Sequence, residues 1–173
     1  MRNFGRRGFQ LRTASVEIRV AYTGFLLLML PAVASLVALS FGRVGVAPDA
    51  IAAYYRGGDG EMSFPRTFWQ LLEVSHFHLF SVPVVILILS HLLFAAVESP
   101  GLRVSLTCIT FTGAVLEIGG PWAIRYLSGG FAYALLAGWI LLGGGATVIV
   151  LVSLVAMWRR ARDPEDDTEA EGP

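Results

Sequence analysis

All three histidines of this chain fall in one apolar segment, "LLEVSHFHLFSVPVVILILSHLLFAAVES", residues 71–99. Imidazoles bind metals and haem and transfer protons, and ionisable side chains are rare in membrane-spanning helices because burying a charge there is costly. At 100° per residue, Glu73, His76 and His91 share one helix face within about 60°, whereas His78 lies about 140° from Glu73. We therefore expect His76 and His91 to serve a ligand and His78 to point elsewhere.

The distance between His76 and His91 limits the ligands that they can share. Helical rise puts them ~22 Å apart, which is too far for one metal ion. Two histidines about four turns apart on one helix resemble the haem-binding helix of membrane b-type cytochromes. No other apolar segment contains a histidine, so three haem arrangements stay open: a five-coordinate iron, a methionine ligand such as Met29, or a homodimer in which each histidine meets its symmetry mate. Haem b or a quinone is the expected cofactor.

Glu117 is an acid inside the third apolar segment. Thirteen residues separate it from the start of that segment, which places it ~20 Å into a ~30 Å hydrocarbon core. An acid at that depth is a functional residue by default, so we expect Glu117 to bind the cofactor or to transfer protons. The alternative is a carboxyl that is simply hydrogen-bonded, with Ser35 and Thr147 at a similar depth.

Two charged residues near the outer boundary form the expected structural ion pair. Depth counting from the inner helix ends places Glu73 and Arg125 at about the same level. The histidines also have a purely structural interpretation. In that alternative, His76 lies at the lipid–water boundary and His91 hydrogen-bonds to a hydroxyl of a neighbouring helix, without any ligand.

Four long apolar segments must position these side chains. Apolar residues make up 55% of the 173-residue chain, and each segment supplies the roughly 20 residues that a span requires. The sequence therefore predicts an all-α protein, a four-helix bundle of up-down topology. The predicted spans are Val20–Phe41, Phe77–Val97 within a longer helix, Val104–Ile124 and Phe131–Trp158.

Local signals place several helix ends. Thr67 followed by Gln70 is a capping box that predicts the start of the second long helix. Asp49 is the expected N-cap of a short helix over residues 50–56. Gly119-Gly120-Pro121 is expected to end the third span. In the fourth span, glycines at 143–145 either allow close helix packing or leave room for a flat ligand.

The arginines predict the orientation. Most of the 13 basic residues flank the first and last spans, so the positive-inside rule places both termini in the cytoplasm. The expected location is the bacterial inner membrane, with the first helix retained. The expected organisation is a basic segment 1–19, a membrane domain 20–158 with an outer loop 42–66, and a tail 159–173 whose acidic end, "DPEDDTEAEGP", is expected to be disordered.

Three stretches, "LLEVSHFHLFSVPVV", "AIAAYYRGGDG" and "GPWAIRYLSGGFAYALLAGWILLG", resemble a set of small bacterial four-helix membrane proteins of uncharacterised activity. The resemblance implies a shared fold and no assigned activity. From the residues, we expect a subunit of an electron-transfer system that holds haem or quinone, rather than an enzyme on its own. The alternative is a non-catalytic structural or assembly subunit. Membrane lipid and other subunits or a second copy are the expected partners, with no nucleic acid.

Overall fold

The computed structural model describes residues 10–11, 14–58 and 64–159, and its regular elements there are all helical. The α-helices are Val16–Arg43 (α1), Pro48–Arg56 (α2), Phe68–Ala96 (α3), Pro100–Tyr126 (α4) and Ala132–Trp158 (α5), with a 3₁₀ turn Gly129–Phe131 before α5. Four of them, α1, α3, α4 and α5, are long and apolar enough to cross a membrane. The predicted all-α four-helix architecture is confirmed. Most of segment 1–19 and the acidic tail lie outside the described residues.

The end of the third span differs from its prediction. Helix α4 continues through Gly119, Gly120 and Pro121 to Tyr126 instead of ending at the glycines. Gly120 is buried against α5, where an added Cβ would lie 3.0 Å from Cβ of Leu135. The glycine therefore permits a close helix contact, and that contact stabilises the helix across the proline.

The capping predictions have mixed outcomes. The Thr67 side chain accepts a hydrogen bond from Gln70 N (3.2 Å), and the Gln70 side chain accepts one from Thr67 N (3.0 Å), so the predicted capping box of α3 is confirmed. The Asp49 cap of α2 was wrong, because Ala47 is the N-cap and Pro48 the first helical residue. Proline is favoured at that position because its φ is already helical.

Helix α5 lies at the centre of the bundle. It packs against α1, α3 and α4, and its contact with α4 is the most extensive. Three glycines allow this contact: a Cβ at Gly113 would lie 2.3 Å from Leu142 N, one at Gly138 2.8 Å from Glu117 N, and one at Gly145 2.4 Å from Thr110 Oγ1. The α4–α5 pair therefore approaches backbone to backbone, as small residues allow in membrane bundles.

The α4–α5 contact can be tested with alanine. We expect Gly113→Ala to lower the free energy of unfolding by about 1–3 kcal/mol, because the new methyl group overlaps the backbone of α5. Gly119→Ala is the matched control, since its Cβ would meet nothing within 4 Å. Both variants share the helix-propensity gain of alanine. Unfolding of the detergent-solubilised variants, followed by circular dichroism, measures the difference, and equal stabilities would contradict the close contact.

Candidate functional site

A hydrogen-bonded histidine–glutamate pair joins α3 to α4. His78 Nδ1 lies 3.1 Å from one carboxylate oxygen of Glu117 and 3.0 Å from the other. The Glu117 side chain is 9% exposed and the His78 side chain 28%. Because an imidazole hydrogen bond offsets much of the desolvation of a carboxyl group, this contact explains how Glu117 is accommodated in the bundle.

Matching depths on two helices bring the pair together. His78 is ten residues from the start of α3 and Glu117 nine residues from the end of α4, so each lies about 14–15 Å from the end of its helix that is nearer to α2. The backbone of α4 at Glu117 rests on Gly138 of α5. This contact fixes the rotation of α4, and the carboxyl group faces α3.

A cavity of about 240 Å³ borders the pair. It extends from the pair towards the outer end of the bundle, where α2 and the segment before α3 meet the long helices. Polar side chains around it belong to Ser40, Arg43, Tyr54, Tyr55, Arg66, Gln70, Ser75, His78 and Glu117; apolar ones include Leu36, Leu71, Leu135 and Trp139. The site thus combines hydrogen-bonding groups at one end with apolar and aromatic walls.

Tyr55 and Arg66 form the outer rim of the cavity. The Arg66 guanidinium stacks 4.1 Å from the ring centroid of Tyr54, and Arg66 N donates to the Tyr55 carbonyl oxygen (3.0 Å). Burial raises the pKa of the Tyr55 phenol, and neighbouring Tyr54 and Glu117 act in the same direction. Tyr55 is therefore a neutral hydroxyl at physiological pH. Arg66 Nε is buried and has no hydrogen-bond partner among the described residues.

Two hydrogen bonds from arginine side chains to backbone carbonyl oxygens hold this rim on the bundle. Arg56 Nη1 donates to the Ile124 carbonyl oxygen (2.9 Å), and Arg125 Nε donates to the Arg66 carbonyl oxygen (2.9 Å). Ile51 of α2 is fully buried against the outer ends of α4 and α5. The outer loop is thereby fixed over the cavity.

The structure does not bring His76 and His91 to Glu117. Both side chains are exposed on the face of α3 that points away from the other helices. The His76 ring packs against Phe80 with centroids 5.0 Å apart, and His91 Nδ1 bonds to the Leu87 carbonyl oxygen (2.8 Å). The described residues contain no group of three or more His, Cys, Asp or Glu placed to hold a metal ion.

The predicted Glu73–Arg125 pair does not form between these two described residues. Glu73 is exposed on α3, and the Arg125 guanidinium donates to the Arg66 carbonyl oxygen and lies 5.3 Å from the Tyr126 ring centroid. A backbone carbonyl therefore takes the place of the expected carboxylate.

His78 is the site residue that the sequence analysis set aside. The side chains of α3 that are buried, such as Leu71, Ser75 and Leu93, lie about 160–200° from Glu73 on a regular helix. His78, at about 140°, belongs to this inward face. Two features of the sequence could have identified His78. Ser75 is a small residue, which favours a close helix contact on that face, and His78 and Glu117 are at nearly equal distances from the neighbouring ends of their helices.

These features define a multi-pass membrane protein built on a four-helix bundle. A family whose sequence model is described as a transmembrane helical domain matches residues 45–164, and the chain belongs to that family. No curated protein and no solved structure matches the chain. The match covers α2 to α5 and confirms the expected membrane helical family, whereas the likeness to b-type cytochromes stays a prediction.

The His78–Glu117 contact predicts unequal effects of the neighbouring histidines on stability. His78→Ala leaves the Glu117 carboxyl buried without its partner, so we expect the free energy of unfolding to fall by about 1–3 kcal/mol. His76→Ala, two residues away and exposed, should change it by less than about 0.5 kcal/mol.

A double-mutant cycle with Glu117→Ala, which removes every hydrogen-bonding atom of that side chain, measures the coupling. We expect an interaction energy of about 0.5–3 kcal/mol between His78 and Glu117, as for side chains in direct contact. The same cycle on Glu73 and Arg125 is the control, for which additive effects are expected. Additivity at His78 and Glu117 would contradict the pair.

Proposed function

We propose that this protein is a small subunit of an electron-transfer system and that it binds a quinone ring in the cavity beside His78 and Glu117. The observation that carries the proposal is a hydrogen-bonded imidazole–carboxyl pair, 3.0 Å apart, on the wall of a cavity between apolar helices. Such a pair can donate to a ring carbonyl oxygen and transfer a proton. Ligand sites commonly combine apolar walls with a few convergent polar groups.

The chain's part in this function is hydrogen bonding and proton transfer. In the proposed binding state one proton lies between His78 Nδ1 and Glu117, and Nε2 carries a second hydrogen that it donates to a ligand oxygen. At the rim, the Tyr55 hydroxyl is a further donor beside the cavity, and Arg66 Nε is buried there with no hydrogen-bond partner in the described part of the chain. Donors at both ends suit a ligand with two acceptor oxygens. A bound quinone supplies the redox chemistry, and a redox-active partner subunit supplies the electrons.

The proposed location is the bacterial inner membrane, with both termini in the cytoplasm as the arginines indicate. In that orientation the pair lies in the outer half of the bilayer, because it is about 14–15 Å from the outer helix ends. The rim formed by Tyr55 and Arg66 then faces the outer aqueous phase. Protons would exchange with that side of the membrane, through the rim, rather than with the cytoplasm.

Quinone binding is the direct test. Wild-type protein in lipid nanodiscs, titrated with a short-chain benzoquinone, should show saturable quenching of tryptophan fluorescence, since Trp139 lines the cavity. His78→Ala removes the hydrogen-bonding imidazole, and Glu117→Gln removes the carboxyl group that shares a proton with it, so we expect affinity to fall roughly tenfold or more, which corresponds to ~1.4 kcal/mol.

His76→Ala is the matched control and should retain wild-type affinity. Wild-type protein that gives no saturable quenching would contradict the quinone proposal. A visible spectrum of the same preparation tests the haem arrangement separately. A Soret band that disappears in His91→Ala and persists in His78→Ala would indicate a haem bound on the exposed face of α3 instead of a cofactor in the cavity.

A second candidate function, as a structural subunit, is favoured by the exposed face of α3. Exposed residues recur at alternating spacings of four and three, as in coiled-coil seams. This α3 seam consists of Glu73, Phe77, Phe80, Val84, Leu87, His91 and Phe94. Ionisable residues in membrane helices are normally directed at protein. Exposed Glu73 and His91 therefore favour another chain along the seam.

The proposed partner is a second copy. Glu73 and His76 lie one turn apart on the exposed face of α3, so a twofold axis along the membrane normal would place each carboxylate near the imidazole of the other chain. The same axis would bring two His91 side chains to one level. That arrangement is the bis-histidine haem ligation left open by the sequence.

Disulfide cross-linking tests the seam. In a Cys108→Ser background, which removes the exposed native thiol, we expect Leu87→Cys to give an oxidised dimer in membranes because Leu87 lies within the seam, next to its central residue Val84. Val115→Cys, on an equally lipid-exposed face of α4, should remain monomeric. Dimers from both cysteines, or from neither, would contradict a specific α3 interface.

A further inference from the structure

An apolar groove of about 540 Å³ runs between α1 and α5 on the outside of the bundle. Two glycines of α5 form part of its wall. A Cβ at Gly144 would meet nothing within 4 Å, and one at Gly143 would meet only the tips of Val33 and Val37, at 3.8 and 4.0 Å. The neighbouring Gly145, by contrast, is in close contact with Thr110 of α4. The glycine run therefore has two roles: Gly145 packs helices, and Gly143 and Gly144 leave space.

The groove adjoins the cavity beside the His78–Glu117 pair. Leu36, Ser40 and Trp139 line both spaces. At their junction the Trp139 ring lies 6.2 Å from that of Phe41 in α1. The aromatic contact of Trp139 and Phe41 therefore stands between the polar pair and the lipid-facing surface of the bundle.

Helix α1 is the loosely held wall of the groove. Leu26 is its buried side chain, and α1 is described over its whole length. Leu26 packs in the cluster that also contains Leu93 and Met157, whereas the groove begins at Val33, about two turns further along the helix. The part of α1 beside the groove thus has no fully buried anchor, and small movements of it would widen the opening to the bilayer.

The polar cavity is too small to enclose a quinone with its attached chain, so such a ligand requires an opening. About 240 Å³ is below the ~300–1,000 Å³ of sites that enclose a whole drug-sized ligand. A ring fits, but an attached chain must leave the cavity, and the groove provides an apolar way out. Its lining has almost no polar surface apart from Ser40 and Thr147, and the Thr147 hydroxyl already donates to the Gly143 carbonyl oxygen (2.7 Å).

We propose that the α1–α5 groove binds the apolar tail of an isoprenoid quinone whose ring occupies the cavity, and that the ligand reaches the site laterally from the bilayer past Trp139. This inference rests on the proposed quinone function and specifies its substrate as a lipid-soluble, long-tailed quinone. The ring is held by hydrogen bonds at the pair. The tail lies against Gly143 and Gly144, where the absent side chains leave room for it.

A variant that fills the groove tests binding of the tail separately from binding of the ring. A Cβ at Gly144 would meet nothing within 4 Å, so we expect Gly144→Leu to fill the groove while the helix contacts are retained. In nanodiscs of fixed lipid composition, we expect this variant to lose at least tenfold in affinity for decylubiquinone. Its affinity for the tail-less 2,3-dimethoxy-5-methyl-1,4-benzoquinone should stay within twofold of wild type. Gly24→Leu, also in open space but far from the groove, should bind both probes like wild type.

A decylubiquinone carrying a photoreactive group at the end of its tail gives an independent measurement. Peptide mapping should find the label on α1 or α5 residues of the groove in wild type, and the labelling should be lost in Gly144→Leu. Equal affinity of wild type and Gly144→Leu for the decyl probe, or label on another helix, would overturn the inference while leaving ring binding intact. If the tail-less probe fails to bind wild type, the quinone function itself is wrong, and the groove holds an ordinary lipid chain.

Discussion

Helices α4 and α5 touch through their backbones, because Gly113 and Gly138 have no side chains to separate them. In a bilayer, apolar surface gains little by leaving lipid for protein, so short-range packing of this kind supplies much of the helix association. The contact also sets the site. Since Gly138 rests on the backbone of α4 at Glu117, the rotation of α4 is fixed with that carboxyl group towards α3. A looser contact would leave Glu117 without a defined partner.

The buried carboxyl group then constrains α3. A charged or neutral carboxyl at this depth needs a hydrogen bond, and His78 provides it at 3.0 Å. The same two helices are also joined by hydrogen bonds from Trp122 Nε1 to Ser75 Oγ (2.7 Å) and from Thr107 Oγ1 to Ser90 Oγ (3.4 Å). These contacts together set the position of α3 on α4. The rim of Tyr55 and Arg66, fixed by Arg125 to the end of α4, closes the space above the His78–Glu117 pair.

Helix α3 carries polar residues on two opposite faces. Ser75 and His78 face the bundle, whereas Glu73, His76 and His91 face outward. The inward polar groups are hydrogen-bonded within the chain, Ser75 to Trp122 and His78 to Glu117. On the outward face, the His91 imidazole bonds to the Leu87 carbonyl oxygen of its own helix and the His76 ring packs against Phe80.

The sequence by itself determined the four apolar helices, the capping box at Thr67 and the depth of Glu117, because span length, local hydrogen bonding and helical rise depend only on residues close in the chain. It did not determine which face of α3 is buried. In lipid both faces are apolar, so hydrophobic periodicity gives no direction, and the assumption that polar residues point inward selected His76 and His91 instead of His78. Likewise, Gly120 looked like a helix end until its contact with Leu135 was known. Only the tertiary structure decided these points, since they depend on the close approach of α4 and α5, which is made between residues far apart in the sequence.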